Sequence, residues 1–129
     1  MLNADVLSFF EGESTALSLY EQLERRICEF VPELKIKVGK SQVSFYAKKM
    51  FGCVSMMRLG KKAELPEEYI VATFGLGEEV RHPRIAVATE AYPGRWTHHV
   101  IVSRPEELDE QLIGWLREAY VFSEVKGRR

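Results

Sequence analysis

The chain has 129 residues, of which 46% are hydrophobic and 29% are charged, a composition typical of a folded soluble domain and unlike that of a disordered chain. This length is close to the commonest size of a single domain, and no apolar run approaches the roughly 20 residues of a membrane span. The first residues lack the basic and apolar regions of a secretory signal. Two cysteines are too few for a disulfide framework, so we expect a reducing, cytoplasmic compartment.

The net charge of −1 conceals an uneven distribution along the chain. Residues 1–34 contain 7 acidic and 2 basic side chains, whereas residues 35–62 contain 8 basic side chains and none that is acidic. Residues 63–129 return to an acidic excess, with 12 acidic and 8 basic side chains. The central segment therefore carries a positive local field that favours anionic partners.

Hydrophobic periodicity predicts a helix, a run of short strands and a second helix. Apolar stripes at three- and four-residue spacing predict helices over 15–30 and 103–122, the second beginning with the capping-box spacing of Ser103 and Glu106. Alternating patterns and turn residues between them predict strands over 34–38, 42–48, 51–59, 69–76, 84–89 and 95–102. Short connections favour antiparallel pairing of these strands.

These elements predict an α+β fold with a single two-layer domain over residues 1–129. An antiparallel sheet of five or six strands lies between the N-terminal and C-terminal helices, which pack on one face of the sheet. We expect the core at about 14–123, a short helical turn at 5–10 and a frayed basic tail at 126–129.

Several motifs, spread over most of the chain, occur in a distinctive order. They are Lys40-Ser41-Gln42-Val43-Ser44-Phe45, then Phe51, then Arg95-Trp96-Thr97-His98-His99-Val100, then Pro105-Glu106-Glu107-Leu108-Asp109 and Trp115-Leu116-Arg117-Glu118-Ala119-Tyr120. Together they resemble the DUF5655 family over about residues 17–122. The resemblance implies one α+β domain of a small bacterial protein, occurring alone or appended to larger chains. It implies no activity, cofactor or catalytic residue, because none is assigned to that family.

Adjacent His98 and His99 are the first candidates for chemistry. Neighbouring strand residues point to opposite faces, so His98 shares the more apolar side with Trp96 and Val100, and His99 lies with Thr97. We interpret one as a hydrogen-bonded sheet histidine and the other as a surface residue. The third histidine and the two cysteines show no ligand spacing, so we predict no metal site and no cofactor.

Basic residues on adjacent predicted strands, with an aromatic residue among them, are the strongest signal of a binding surface. The candidate ligand-binding residues are Lys37, Tyr46, Lys48, Arg58, Arg95 and His98. Such a surface suits phosphate contact with base stacking. The simpler interpretation is that the cations solvate an open sheet face and its edges, which the slightly negative net charge favours.

We therefore interpret the protein as a small binding module that recognises an anionic ligand or a protein partner through this basic sheet face. The alternatives are a nucleic-acid-associated module and an enzyme with a site around Arg58, Arg95 and the histidine pair. No phosphate-binding loop, dinucleotide fingerprint or nucleophile elbow is present in the sequence, and we expect Cys53 to be a small buried residue. The exposed sheet face and an edge strand are also compatible with a homodimer.

Overall fold

A computed structural model describes residues 3–126 of the chain. Three helices and six strands follow one another as α1 (Ala4–Phe9), α2 (Ser14–Cys28), β1 (Lys35–Val38), β2 (Val43–Tyr46), β3 (Met50–Ser55), β4 (Ile70–Leu76), β5 (Val87–Tyr92), β6 (Arg95–Val102) and α3 (Glu110–Lys126). Short 3₁₀ turns span Lys62–Glu64 and Pro105–Glu107. The predicted α+β class, with strands between terminal helices, is confirmed; residues 127–129 of the predicted tail lie outside the described residues.

The six strands form one antiparallel sheet in the order β1-β2-β3-β4-β6-β5. The first four strands form a meander, in which each strand pairs with the next. Strand β6 then lies between β4 and β5, so that β4 has β3 on one side and β6 on the other. All seven residues of β4 are buried, as expected for a strand in the middle of the sheet.

Helices α2 and α3 pack on one face of the sheet, as the sequence predicts. Tyr20 of α2 stacks on Phe45 with ring centroids 6.1 Å apart, and Trp115 of α3 stacks on Phe74 at 5.7 Å. The two helices are joined by Arg26, whose guanidinium donates to the Leu108 carbonyl and pairs with Glu110. Burial of these large aromatic side chains dominates the energy of this layer.

Helix α1 belongs to the same packed layer. The Asn3 side chain accepts a hydrogen bond from the Val6 N–H at 2.8 Å, which caps the first turn. Val6 and Phe10 are buried in the hydrophobic core, and the Phe10 ring lies 5.2 Å from that of Tyr20. The N-terminal turn therefore contributes side chains to the core.

Some predicted element boundaries were wrong. Helix α2 ends at Cys28 rather than residue 30, β3 ends at Ser55 rather than Leu59, and β5 spans Val87–Tyr92 rather than 84–89. The β5 shift has a visible cause: the Arg84 guanidinium donates to the Asp109 carboxylate and to the Glu107 carbonyl, both at 2.7 Å. These contacts hold the segment before β5 against the start of α3 and away from the strand ladder.

The last helix also begins later than predicted, at Glu110 instead of Ser103. The Glu107 carboxylate accepts hydrogen bonds from the N–H groups of Ser103 and Arg104 at 2.8 and 3.1 Å. It is Glu107, not Glu106, that makes the capping contact. This contact stabilises the 3₁₀ turn at Pro105–Glu107, and helix α3 begins after this turn.

Gly52 of β3 lies where α3 comes closest to the sheet. A Cβ atom at this position would be 2.8 Å from the carbonyl oxygen of Thr73 and 3.5 Å from Cδ2 of Leu116. The carbonyl belongs to the backbone of the neighbouring strand, which cannot rotate away. The absence of a side chain at Gly52 therefore allows β3, β4 and α3 to pack at their observed separation.

We predict that Gly52→Ala lowers the free energy of unfolding by about 1–3 kcal/mol, because the added methyl group overpacks the core. Gly114→Ala in α3 is the matched control, since a Cβ there meets nothing within 4 Å; it should raise stability by about 0.5–1 kcal/mol through helix propensity. Urea denaturation measures both. Equal stability of the two variants would show that the close approach at Gly52 is not limiting.

Candidate binding groove on the open sheet face

The face of the sheet opposite α2 and α3, which we call the open face, is built largely from small polar side chains. Ser44, Cys53, Thr73 and His99 lie in one row, because each is the Cα partner of the next across β2, β3, β4 and β6. The first three are buried although they lie on this face. Buried polar side chains need hydrogen-bond partners, and the apolar core supplies none. This row of polar residues is therefore a candidate binding site.

A cavity of about 350 Å³, which we call the sheet groove, lies over this row. Its lining comes mainly from β3, β4, β6 and the segments flanking β2 and β3: Ser41, Gln42, Met50, Gly52, Cys53, Ser55, Met57, Thr73, Phe74, Gly75, Arg95, Thr97 and His99. None of the described residues that line it is acidic. The groove is therefore lined by both polar and apolar groups, and its one fixed charge is positive.

Arg95 lies directly over Gly75 in this groove. A Cβ atom at Gly75 would be 2.5 Å from Nη2 of Arg95 and 2.6 Å from its Cζ, so the guanidinium occupies space that a side chain on β4 would fill. Arg95 is half-buried, and within residues 3–126 its guanidinium has no carboxylate partner. The fold therefore holds a half-buried cation in the groove.

His99 faces the same groove in its neutral form. Its Nδ1 atom lies 2.7 Å from the Thr73 hydroxyl, which leaves Nε2 as the ring nitrogen available to a ligand. Burial lowers the pKa of His99 below its ordinary value of 6.5, and the adjacent His98 lowers it further. The imidazole therefore offers hydrogen bonding and not a second positive charge at neutral pH.

Cys53 completes the row as a protonated thiol. Burial raises the pKa of Cys53, and the hydroxyl of its cross-strand neighbour Thr73 acts in the opposite direction. A raised pKa disfavours the thiolate, which is the nucleophilic form. Cys53 is thus the small buried residue expected from the sequence, and it lines the groove.

His98 lies on the other face of the sheet, so grouping it with the basic sheet face was wrong. Its ring is fully buried, stacks on Phe74 with centroids 5.1 Å apart, and accepts a hydrogen bond at Nε2 from the Val80 N–H at 2.9 Å. Burial is the main cause that lowers its pKa below 6.5, outweighing the nearby carbonyls and Glu79. His98 is the hydrogen-bonded sheet histidine, and His99 is half-buried in the groove instead of lying on the surface.

The other predicted site residues lie in three places. Lys37 and Tyr46 are on the open face at the β1 edge, with the Lys37 Nζ atom 5.2 Å from the Tyr46 ring centroid. Lys48 is exposed in the turn between β2 and β3, and Arg58 is exposed after β3 beside a different pocket. Of the six candidates, Arg95 lines the groove, and a binding role for any of them stays a prediction.

Sequence reasoning did not single out Thr73 or Thr97, and it named His99 as a candidate for chemistry but left it out of the predicted ligand-binding residues. One signal was present: Thr73 is the polar residue in the middle of the apolar strand β4. Its meaning depends on the pairing of β4 with β6, which brings His99 opposite Thr73. The strand order could not be read from the sequence, and the row of polar residues could not be assembled without it.

Two further findings concern metals and membranes. The described part of the chain contains no group of three or more His, Cys, Asp and Glu side chains placed to hold a metal ion. Among its helices, none has the length and apolar character needed to cross a bilayer.

The architecture and the groove define a small α+β domain with helices on one face of an open antiparallel sheet and a cavity that contains one cation on the other. The chain belongs to the DUF5655 family, whose model, described as a domain of unknown function, matches residues 6–123. No curated protein and no solved structure matches the chain. The resemblance seen in the sequence is confirmed, and the chemistry has to be inferred from the site itself.

We predict that the protein loses stability as the pH falls below 6.5. Both His98 and His99 have pKa values below those of the unfolded chain, so the unfolded state gains protons that the folded state does not take up. Each histidine then lowers the free energy of unfolding by at most about 1.4 kcal/mol per pH unit, until the pH reaches its folded pKa. Urea titrations between pH 5 and 8 measure this slope.

His98→Phe is the matched variant, because phenylalanine can keep the stack on Phe74 but cannot ionise. It should cost about 1–3 kcal/mol at pH 8, since the Val80 N–H loses its acceptor. Its slope below pH 6.5 should be shallower than that of the unmodified protein. An unchanged slope would mean that His98 does not contribute to the acid sensitivity.

Proposed function

We propose that this domain is a binding module whose sheet groove takes a small anionic molecule. The observation that carries the proposal is the position of the Arg95 guanidinium. It lies over Gly75 in a cavity that no acidic residue lines. Within residues 3–126, the guanidinium has no ion-pair partner. A partly desolvated cation is more stable with a counter-charge, and guanidinium groups bind carboxylates and phosphates through paired hydrogen bonds. A bound anion supplies that counter-charge.

Further hydrogen-bond donors lie beside Arg95 on the same strand. Arg95, Thr97 and His99 alternate along β6, so their side chains emerge from one face at intervals of about 7 Å. When the Thr73 hydroxyl donates to Nδ1 of His99, the neutral ring carries its proton on Nε2 and presents an N–H to the groove. The β6 wall then offers donors in a row, which suits the oxygen atoms of an anion.

The basic segment of the chain supports the same function at longer range. Lys37 and Tyr46 lie on the open face at the β1 edge, and we assign them to the approach to the groove. Lys48 and Arg58, also predicted from the sequence, lie outside the cavity. They can attract an anion through the local positive field, an effect that salt screens over about 10 Å.

A nucleic-acid-associated module is the second candidate. The specific observation in its favour is the Lys37–Tyr46 pair on an exposed basic edge, because a cation beside an aromatic ring suits a phosphate and a stacked base. Binding of that kind involves several phosphates and weakens steeply with salt. A small anion held by Arg95 in a half-buried groove depends on salt far less.

Two further features belong to the same proposal. Both Cys28 and Cys53 are free thiols, which supports a reducing, cytoplasmic compartment. A homodimer would use a strand edge: β5 is one edge of the sheet, and its Val87 and Tyr92 are exposed apolar residues. Light scattering at two protein concentrations tests the dimer.

We predict that Arg95→Ala removes the stabilisation that anions confer. A ligand present at one hundred times its dissociation constant raises the free energy of unfolding by about 2.7 kcal/mol, and thermal shift with formate, acetate, citrate and inorganic phosphate, at low and high salt, detects this. Lys48→Ala and Arg58→Ala are the matched controls, because each removes one exposed cation outside the groove. Both controls should keep the shift.

The opposite pattern would assign anion binding to the exposed loops: a shift lost in Lys48→Ala or Arg58→Ala and retained in Arg95→Ala. Circular dichroism of Arg95→Ala shows whether the variant is folded. Arg95→Lys adds a second comparison, since it keeps the charge but loses the planar fork of donors; it should retain weak binding.

A further inference from the structure

The geometry points to a particular ligand class for the sheet groove: a monocarboxylate that carries a compact apolar group. This inference rests on the proposed anion-binding function and adds the chemistry of the ligand. It depends on three observations: the charge of the groove, the distribution of its donors and apolar side chains, and its size.

The charge of the groove matches one negative charge. Arg95 is the one fixed charge among the described lining residues, and His99 is neutral because burial lowers its pKa. A carboxylate balances Arg95. A phosphate monoester carries about −1.5 to −2 charges at neutral pH, so it would leave negative charge uncompensated in a partly desolvated cavity.

The two sides of the groove differ in chemical character. The β6 side carries the donors of Arg95, Thr97 and His99, whereas the β3 side carries Met50 and Cys53, with Met57 just beyond the strand. Ser55 also lies on the β3 side, where its hydroxyl oxygen accepts a hydrogen bond from the Met57 N–H. Methionine and a protonated thiol behave as soft, adaptable apolar groups. A ligand with a charged end and an apolar end therefore lies across β4, with its carboxylate over β6.

The size of the groove limits the ligand to a compact molecule. Strands β3 and β6 are separated by β4, so the two walls are about 9–10 Å apart. The volume of about 350 Å³ is near the lower end of the roughly 300–1,000 Å³ typical of ligand pockets. A short-chain or monocyclic carboxylate spans this distance, whereas a dinucleotide does not fit inside the groove.

The test uses matched pairs of small probes. Phenylacetate and hexanoate are compared with their neutral amides, phenylacetamide and hexanamide, and with inorganic phosphate and acetate, by isothermal titration at moderate salt. We expect the two carboxylates to bind at least about tenfold more tightly than their amides, the effect of one charge-assisted hydrogen-bonded pair. Acetate should bind more weakly than either, because it lacks the apolar group.

Two variants separate the two ends of the ligand. Arg95→Met should remove the preference for carboxylate over amide. Met57→Ser should weaken phenylacetate by a few-fold, about the effect of losing part of an apolar contact, while leaving acetate unchanged. Val121→Ser is the control, since Val121 is an exposed apolar residue of α3 outside the groove; it should leave phenylacetate binding unchanged.

The outcomes distinguish this inference from the function on which it rests. If the protein binds phosphate more tightly than the carboxylates and loses this binding in Arg95→Met, the result would contradict the carboxylate as the ligand class but would support the anion-binding groove. Equal binding of acids and amides would overturn both. Binding confined to oligonucleotides, with steep salt dependence, would also overturn both in favour of the basic edge.

Discussion

The fold depends on one constraint: strand β4 is buried along its whole length, on both faces of the sheet. Helices α2 and α3 can cover only one of these faces, and they do so with aromatic rings that stack on Phe45 and Phe74. The other face has no such apolar layer. Its central positions hold small polar side chains, which pair with one another across the strands and leave a cavity above them.

The two histidines of β6 show how differently the two faces treat the same side chain. His98 packs in the apolar core and accepts a hydrogen bond from the Val80 N–H, which holds the segment after β4. His99 instead forms a hydrogen bond with Thr73 in the polar row. Both rings are neutral for the same reason, loss of hydration, and the charge of either would oppose the charge of the other. The groove therefore carries a single positive charge at neutral pH, that of Arg95.

Local patterns predicted the elements and the face of most side chains, because alternation and three-to-four-residue spacing act within a few residues. They placed His98 on the apolar side of β6 and Lys37 and Tyr46 on the open face of the sheet. They could not predict that β6 inserts between β4 and β5, because strand order depends on contacts between residues distant in sequence. For this reason Thr73 was missed and His99 was left out of the predicted ligand-binding residues. Lys48 and Arg58 were grouped with Arg95 because charge was counted along the chain and not in space.

The strand order also has a consequence for assembly. Strands β1 to β4 can form as successive local hairpins, and β5 with β6 is a hairpin of its own, but β6 must dock on β4 to complete the sheet. Docking joins strands that are distant in sequence. Such steps are slow because the entropy of loop closure is lost before the new contacts stabilise the chain. The groove lies across this seam, with Thr73 contributed by one unit and Arg95 by the other. The ligand that we propose for the groove would contact both folding units, so it would slow their separation more than it would speed their first encounter.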